Sequence, residues 1–226
     1  MKALVVGDGK MGRAVEASLA ARGHSVVGRL SRGDVLSSDL AREAGVAFEF
    51  TSPDSAPLRV PELLCAGVPV VSGTTGWNVS PAWELSKRTG VAFLHSPNFS
   101  IGVAALRRAA AALSEALADF PEFEPGIVER HHSAKKDAPS GTARLVAAAV
   151  AAGRPAGTPL PIVSLRHGGQ PGEHTLVFEG PDEAVELVHR ARSRGIFASG
   201  AVQAAEWLLA TFRRGPATFD EFLAGC

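Results

Sequence analysis

"ALVVGDGKMGRAV" (residues 3–15) sets an apolar β-branched run against three glycines, at 7, 9 and 12. One glycine suffices for a turn. Three at this spacing fit G-x-G-x-x-G, here between a strand expected over 3–6 and a helix over 13–22 that Gly23 stops. In a dinucleotide-binding loop Gly7 permits the tight turn and Gly9 lets the backbone approach a pyrophosphate. Gly12 brings helix and sheet together, and the amides at the helix start face the anion. The plainer alternative is a strand–helix turn that happens to hold three glycines. On the first reading Gly7, Asp8, Gly9, Lys10, Met11 and Gly12 are candidate cofactor residues.

The periodicity that follows agrees with the first reading. Strands are expected at "HSVVGRL" (24–30), "VAFEFT" (46–51), "VPVVSGT" (68–74) and "VAFLHS" (91–96), with helical patterns such as 61–66 and 81–87 between them. Alternating strands and helices imply a parallel sheet with right-handed crossovers. After "SPNFS" (96–100) the pattern changes to a long Ala/Leu helix (101–119), a strand running into a polar loop (126–132) and a helix (142–152). Strands at 161–167, 173–180 and 183–191 follow, the last two joined by the turn signal "GPDE". A helix over 198–212 closes the pattern. The fold class expected is α/β, a Rossmann-type parallel-sheet domain plus an α+β domain with a mostly antiparallel open sheet. Residues 1–100 and 200–226 would form the dinucleotide-binding domain, and 101–199 the substrate-binding and oligomerisation domain, with a cleft between them.

Composition narrows the function classes. The 226 residues carry 23 Lys+Arg and 23 Asp+Glu, a net charge of zero, which argues against a nucleic-acid binder. Cys65 and Cys226 are far apart and lack a C-x-x-C partner, so neither a disulfide framework nor a zinc or other metal site is supported. With no signal peptide before the first strand and no apolar run long enough for a membrane helix, the cytoplasm is the expected compartment.

The tip of the second strand bears on cofactor choice. NAD sites usually place an acidic residue there for the ribose 2′-hydroxyl. Here "GRLSRGD" (28–34) offers Ser31 and Arg32, with no carboxylate before Asp34. Serine and arginine can receive a 2′-phosphate, so NADPH is expected over NADH, which stays an alternative. A plain surface arginine is the competing reading of Arg32.

"ERHHSAKKDAPSGTA" (129–143) concentrates Arg130, His131, His132, Lys135 and Lys136 within seven residues. A solvated charge run is the plain reading. Three features favour a site for a small anionic substrate. The histidines titrate near working pH, the run stands out in a neutral chain, and "PSGT" opens a helix whose bare amides suit a carboxylate.

With these motifs in place, the sequence resembles the 4-hydroxy-tetrahydrodipicolinate (dihydrodipicolinate) reductase family of the diaminopimelate route to lysine. "GDGKMGRAV", "GTTGW" (73–77), "SPNFSIGV" (96–103), "ERHHSAKKDAPSGTA", "GEHTLVFEG" and "FASGAV" carry the resemblance over almost the whole chain. It implies His131 as catalytic acid/base, Lys135 as proton donor and His132 as a substrate contact, with Gly141 and Thr142 binding a substrate carboxylate. It implies that Gly73, Thr74 and Thr75, with Ser96, Pro97, Asn98 and Phe99, lie along the nicotinamide. A homotetramer formed through the antiparallel sheet is also implied. The sequence departs from the family in shortened connections, in Glu49-Phe50-Thr51 where Asp-Phe-Thr is usual, and in Ser31 where an acid is usual. Two rivals share the glycine loop: another two-domain amino-acid dehydrogenase (aspartate or diaminopimelate type), and a non-catalytic NADP(H)-binding sensor. Neither has a reason to carry HH…K…DAPSGT.

Overall fold

A computed structural model describes residues 1–193 and 195–225, so Cys226 lies outside the described residues. The chain divides into two compact units, Met1–Ser100 with Arg194–Cys226, and Ile101–Ser193.

The first unit is a six-stranded sheet in the order β10-β5-β4-β3-β1-β2, every pair parallel. Its strands are β1 (Lys2–Val6), β2 (Ser25–Leu30), β3 (Val46–Glu49), β4 (Val70–Ser72), β5 (Phe93–His95) and β10 (Pro216–Thr218). Its helices are α1 (Lys10–Ala21), α2 (Ser38–Glu43), α3 (Ala56–Cys65), α4 (Ser80–Thr89), α7 (Gly195–Ala210) and α8 (Phe219–Ala224). Ala3 to Val6 of β1 and Val46 to Phe48 of β3 read as unbroken apolar runs because a parallel sheet covered on both faces buries these positions. From β1 the chain steps outward to β2 and then returns to lay β3 on the other side of β1. That reversal is a topological switch point, where open α/β sheets bind ligands beyond the strands' carboxyl ends. Gly7 stands there.

The second unit is a four-stranded sheet in the order β7-β6-β8-β9, with only β6 and β7 parallel. Its strands are β6 (Glu124–His131), β7 (Ile162–Arg166), β8 (Glu173–Glu179) and β9 (Ala184–Arg190), and its helices α5 (Ile101–Ala116) and α6 (Gly141–Ala152). Alternation on β6 sends Ile127, Glu129 and His131 inward, and Val128 and Arg130 outward. Along the inner face, Ile127, Leu176 and Phe178 pack with Ala143, Val146 and Val150 of α6. Nearer the end of β6, the inward positions turn polar.

Of the boundaries that differ from expectation, three have a clear physical reason. α1 begins at Lys10, three residues early, because its first turn springs directly from the glycine loop. α3 begins at Ala56 and passes through Pro61 rather than starting there, since Ala56, Val60, Leu63 and Leu64 form one buried stripe. The C-terminal helix begins at Gly195 rather than 198. Near its start, Gly200 lies so close to the Phe99 carbonyl that a Cβ would stand 1.8 Å from that oxygen. Short α2, β10 and α8 carry too little periodicity to have been expected.

Candidate active site

The three glycines of the first loop have different reasons. Gly7 has φ +111°, and a Cβ there would lie 2.3 Å from the Phe50 carbonyl oxygen. A Cβ on Gly12 would lie 2.0 Å from the Gly7 carbonyl oxygen. The chain's own packing therefore demands both. Gly9 is under no such demand, since a Cβ there would meet nothing within 4 Å. It is the N-cap of α1 and provides no side-chain cap, so the helix's first amides face open space. A cavity of about 480 Å³ opens there, lined by Gly7, Asp8, Gly9, Ser31, Arg32 and Arg59 among others. Uncapped amides beside a cavity edged by two arginines fit a dinucleotide's phosphates. Lys10 and Met11 stand in the first turn of α1.

The strand tip is less simply cationic than its sequence. The Asp34 carboxylate turns back to accept from the Ser31 amide at 2.7 Å. Arg59 of α3, which sequence reasoning missed, donates to the Asp34 carbonyl and, at 2.8 Å, to Glu62. No local pattern ties Arg59 to Ser31. Only the sheet topology brings them to one cavity.

Around the next two strand ends, a fully buried Glu49 organises the loops. It accepts from Ser72 Oγ (2.6 Å), Thr74 Oγ1 (2.7 Å), the Thr51 amide (3.0 Å) and Thr51 Oγ1 (2.5 Å). The Thr74 carbonyl accepts from Trp77 Nε1 and meets His95 Nε2. Burial lowers the His95 pKa, opposed by that carbonyl. Gly73 is glycine because the Phe50 ring fills the space a side chain would need. Thr75 is exposed, Ser96 Oγ donates to the Asn98 carbonyl, and Pro97 lies at the surface. Phe99, expected along the nicotinamide, instead has its ring buried against Phe50 and Phe219.

In the second unit the basic stretch is not one surface loop. Arg130 is exposed, whereas His131 is the buried last residue of β6. Fully buried Glu129 places its Oε2 2.8 Å from His131 Nδ1, a close electrostatic contact without an aligned hydrogen bond. Its Oε1 accepts from Ser164 Oγ (2.6 Å), Arg166 Nη2 (2.7 Å) and the Ser140 amide (3.1 Å). Burial alone would raise the Glu129 pKa, but the hydrogen bonds from Ser164, Ser140 and Arg166 outweigh it and hold it at about 2. Burial lowers the His131 pKa, with Lys135 and Arg166 adding to the effect and Glu129 opposing it. His174, opposite Glu129 on β8, is pushed to about 4 by burial and by His131.

Beyond His131 the loop is braced by its neighbour, as the His132 amide donates to the Gln170 carbonyl and the Ser133 amide to Gly168. Lys135 Nζ donates to Asp137 at 2.7 Å, which lowers the Asp137 pKa. Ser140 caps α6 by accepting from the Ala143 amide, leaving Gly141 and Thr142 in the helix's first turn. The inward pattern of β6 could have revealed Glu129, two residues before His131 on one face. Ser164, Arg166 and His174 depend on strand register and had no local signal.

Donor atoms of Glu129, His131 and His174 lie within 4.8 Å of one another. Two ligands of a tetrahedral zinc stand about 3.3 Å apart given usual bond lengths, and Arg166 already neutralises this carboxylate. The 2.8 Å approach and that charge suit proton handling better than a dication.

The chain is similar to known proteins in sequence and in fold. The model of the dihydrodipicolinate reductase N-terminus matches residues 1–99, and that of its C-terminus residues 102–223. A 4-hydroxy-tetrahydrodipicolinate reductase from Natronomonas pharaonis is 37% identical, covering 92% of this chain and 94% of its own. One from Rubrobacter xylanophilus is 40% identical over 79% of this chain and 73% of its own. Among solved structures, a dipicolinate-bound dihydrodipicolinate reductase from Paenisporosarcina sp. TG-14 shares the fold, with a TM-score of 0.76 at 23% identity, covering 96% of this chain and 97% of its own. A probable dehydrogenase from Thermotoga maritima shares it more loosely (TM-score 0.63, 9% identity, 98% and 92% covered). From residue 1 to residue 223 the chain thus belongs to the dihydrodipicolinate reductase family.

Proposed function

We infer that this protein reduces 4-hydroxy-tetrahydrodipicolinate to tetrahydrodipicolinate with NADPH, NADH serving as the weaker donor. The observation that carries the reading is the α6 start. There, the first turn of α6, capped by Ser140, follows a loop that bears Lys135 and begins after His131. Such an end suits a carboxylate, and the cationic side chains nearby suit a second. In this reading Gly141 and Thr142 hold one substrate carboxylate, His132 contacts the substrate, and Lys135 delivers a proton while His131 acts as acid/base.

The bound nicotinamide supplies the hydride. Overall one hydride and one proton enter the substrate and one water leaves. Gly7, Asp8, Gly9, Lys10, Met11 and Gly12 would hold the pyrophosphate. Ser31 and Arg32, joined by Arg59, would hold the 2′-phosphate. Gly73 to Thr75 and Ser96 to Asn98 would border the nicotinamide half, with Phe99 anchoring that loop to the core. Asp34, returned to the Ser31 amide, weakens discrimination against NADH without abolishing the arginines' preference.

A homotetramer fits the second unit's outer face, where Val128, Val163, Leu165 and Val188 are exposed on three strands. No helix among the described residues is long and apolar enough to cross a membrane.

The test is steady-state oxidation of NADPH and of NADH with enzymatically generated substrate, beside assays with aspartate and meso-diaminopimelate. Substrate-dependent oxidation confined to the first, faster with NADPH, is expected. Turnover only with an amino acid, or tight NADPH binding with no turnover on any of them, would overturn the reading.

A further inference from the structure

Glu129 has no part in the steps above, yet the second unit's polar residues are built around it. Strand register sets its neighbours. Ser164 of β7 and His174 of β8 stand opposite it, and His131 follows two residues later on the same face. Its two oxygens have separate duties. Oε1 takes every hydrogen bond, from Ser164, Arg166 and Ser140. Oε2, buried and without a donor, faces His131 Nδ1 at 2.8 Å and His174 Nε2 at 3.9 Å.

We propose that Glu129 is the positioning residue of this site, one buried carboxylate that orients both the His131 imidazole and the α6 amide end. The proposal rests on the functional reading above. Its first arm is Oε2. With Nδ1 turned to a carboxylate, a proton there stays on the Glu129 side and Nε2 becomes the exchanging atom. Gly172 leaves room for this ring pose, because a Cβ there would stand 3.0 Å from Nε2. The second arm is Oε1. The Ser140 amide donates to it, while Ser140 Oγ accepts from Ala143 and meets His174 Nε2 at 3.1 Å. Fixed at three points, Ser140 fixes the direction of the amides that follow it. An ion pair that served only to join β6 to β7 would need Oε1 and Arg166 alone.

The charges around His131 set the sign of the test. Glu129 acts from its own strand, Arg166 from β7, and His174 from β8 with His189 behind it on β9. Lys135 and Asp137 act from the following loop. Of these, Glu129 and Asp137 favour the protonated imidazole, so removing the Glu129 charge must make His131 titrate at lower pH.

The experiment follows the imidazole nitrogens of full-length, ¹⁵N-histidine-labelled protein through a pH titration. His131 is assigned with His131→Gln, and the variants are Glu129→Gln, Glu129→Asp and Ser140→Ala. Glu129→Gln should move the His131 midpoint down by about one pH unit and shift its tautomer. It should also lower kcat by about 10- to 10³-fold and raise KM. Glu129→Asp, which keeps the charge, should recover part of both. Ser140→Ala should raise KM and leave the His131 titration in place. A folded Glu129→Gln with wild-type titration and kcat overturns the proposal. If that variant does not fold, Glu129→Asp decides: a wild-type titration and kcat overturn it, and a partial shift in both supports it. Titration needs no substrate, so an inactive wild type whose His131 still follows Glu129 would refute the functional reading and leave the positioning intact.

Discussion

Each unit buries a glutamate at or near the carboxyl end of a strand, Glu49 on β3 and Glu129 on β6, both with no exposed surface. Glu49 is satisfied by neutral donors on both oxygens, three hydroxyls and one amide, from the end of β4 and from the loops after β3 and β4. Glu129 crowds its donors, a guanidinium among them, onto one oxygen and leaves the other against two imidazoles. A buried carboxylate with every lone pair directed at fixed neutral donors is a clamp. One that keeps an oxygen against a titratable ring can bias where a proton sits. The first unit holds loops for a cofactor that carries its own chemistry. In the proposed reading the second supplies its chemistry from side chains.

The largest effects should therefore fall in the second unit. His131→Ala or Lys135→Ala is expected to lower turnover by about 10²- to 10⁴-fold with NADPH affinity little changed, measured by steady-state kinetics and fluorescence titration. Near-normal turnover in both would remove the contrast between the units. Gly172→Ala, which crowds Nε2 of His131 at a backbone φ of +158°, should follow with a loss of about tenfold in kcat and a lowered melting temperature.

Glu49→Gln sharpens the comparison from the other side. Replacing one acceptor oxygen with a donor among hydroxyls should cost about 1–3 kcal/mol in chemical denaturation and raise the KM for NADPH. kcat at saturation should stay within about threefold, as expected where no transition-state contact is lost. A hundredfold fall in kcat would make Glu49 more than a clamp.

Stability against pH gives the mildest contrast. His131, His174 and His189 all have depressed pKa values through burial, with His174 near 4, so the unfolded chain binds more protons between their ordinary values and the folded ones. Stability is then fully present above about pH 6.5 and falls as the pH drops toward 4. Glu129, held at about 2, extends the loss below its ordinary carboxylate range. Denaturation midpoints at successive pH values should decline through this window, and less steeply in His174→Gln. A flat profile would mean that these histidines are solvated in the folded protein.

What the sequence could reveal follows the range of the interactions. The Rossmann-type unit was legible because its glycine loop and alternating periods are local. The second unit's antiparallel strands were legible from "GPDE" and the alternation on 173–191, and the basic stretch flagged His131 and Lys135. Strand alternation divides that stretch, burying His131 while exposing Arg130. Arg59, Ser164, Arg166 and His174 stayed hidden, since topology and register, rather than spacing, bring them to their partners. Phe99 shows the reverse case, a motif residue whose ring serves the core.

The most direct test of the second unit's role is an amide and imidazole NMR titration with dipicolinate, a planar dicarboxylate that cannot be reduced here without hydride. Binding that shifts the Gly141 and Thr142 amides together with the His131 and His132 rings is the predicted result. Saturable binding that leaves those four residues unmoved and perturbs another surface would contradict it.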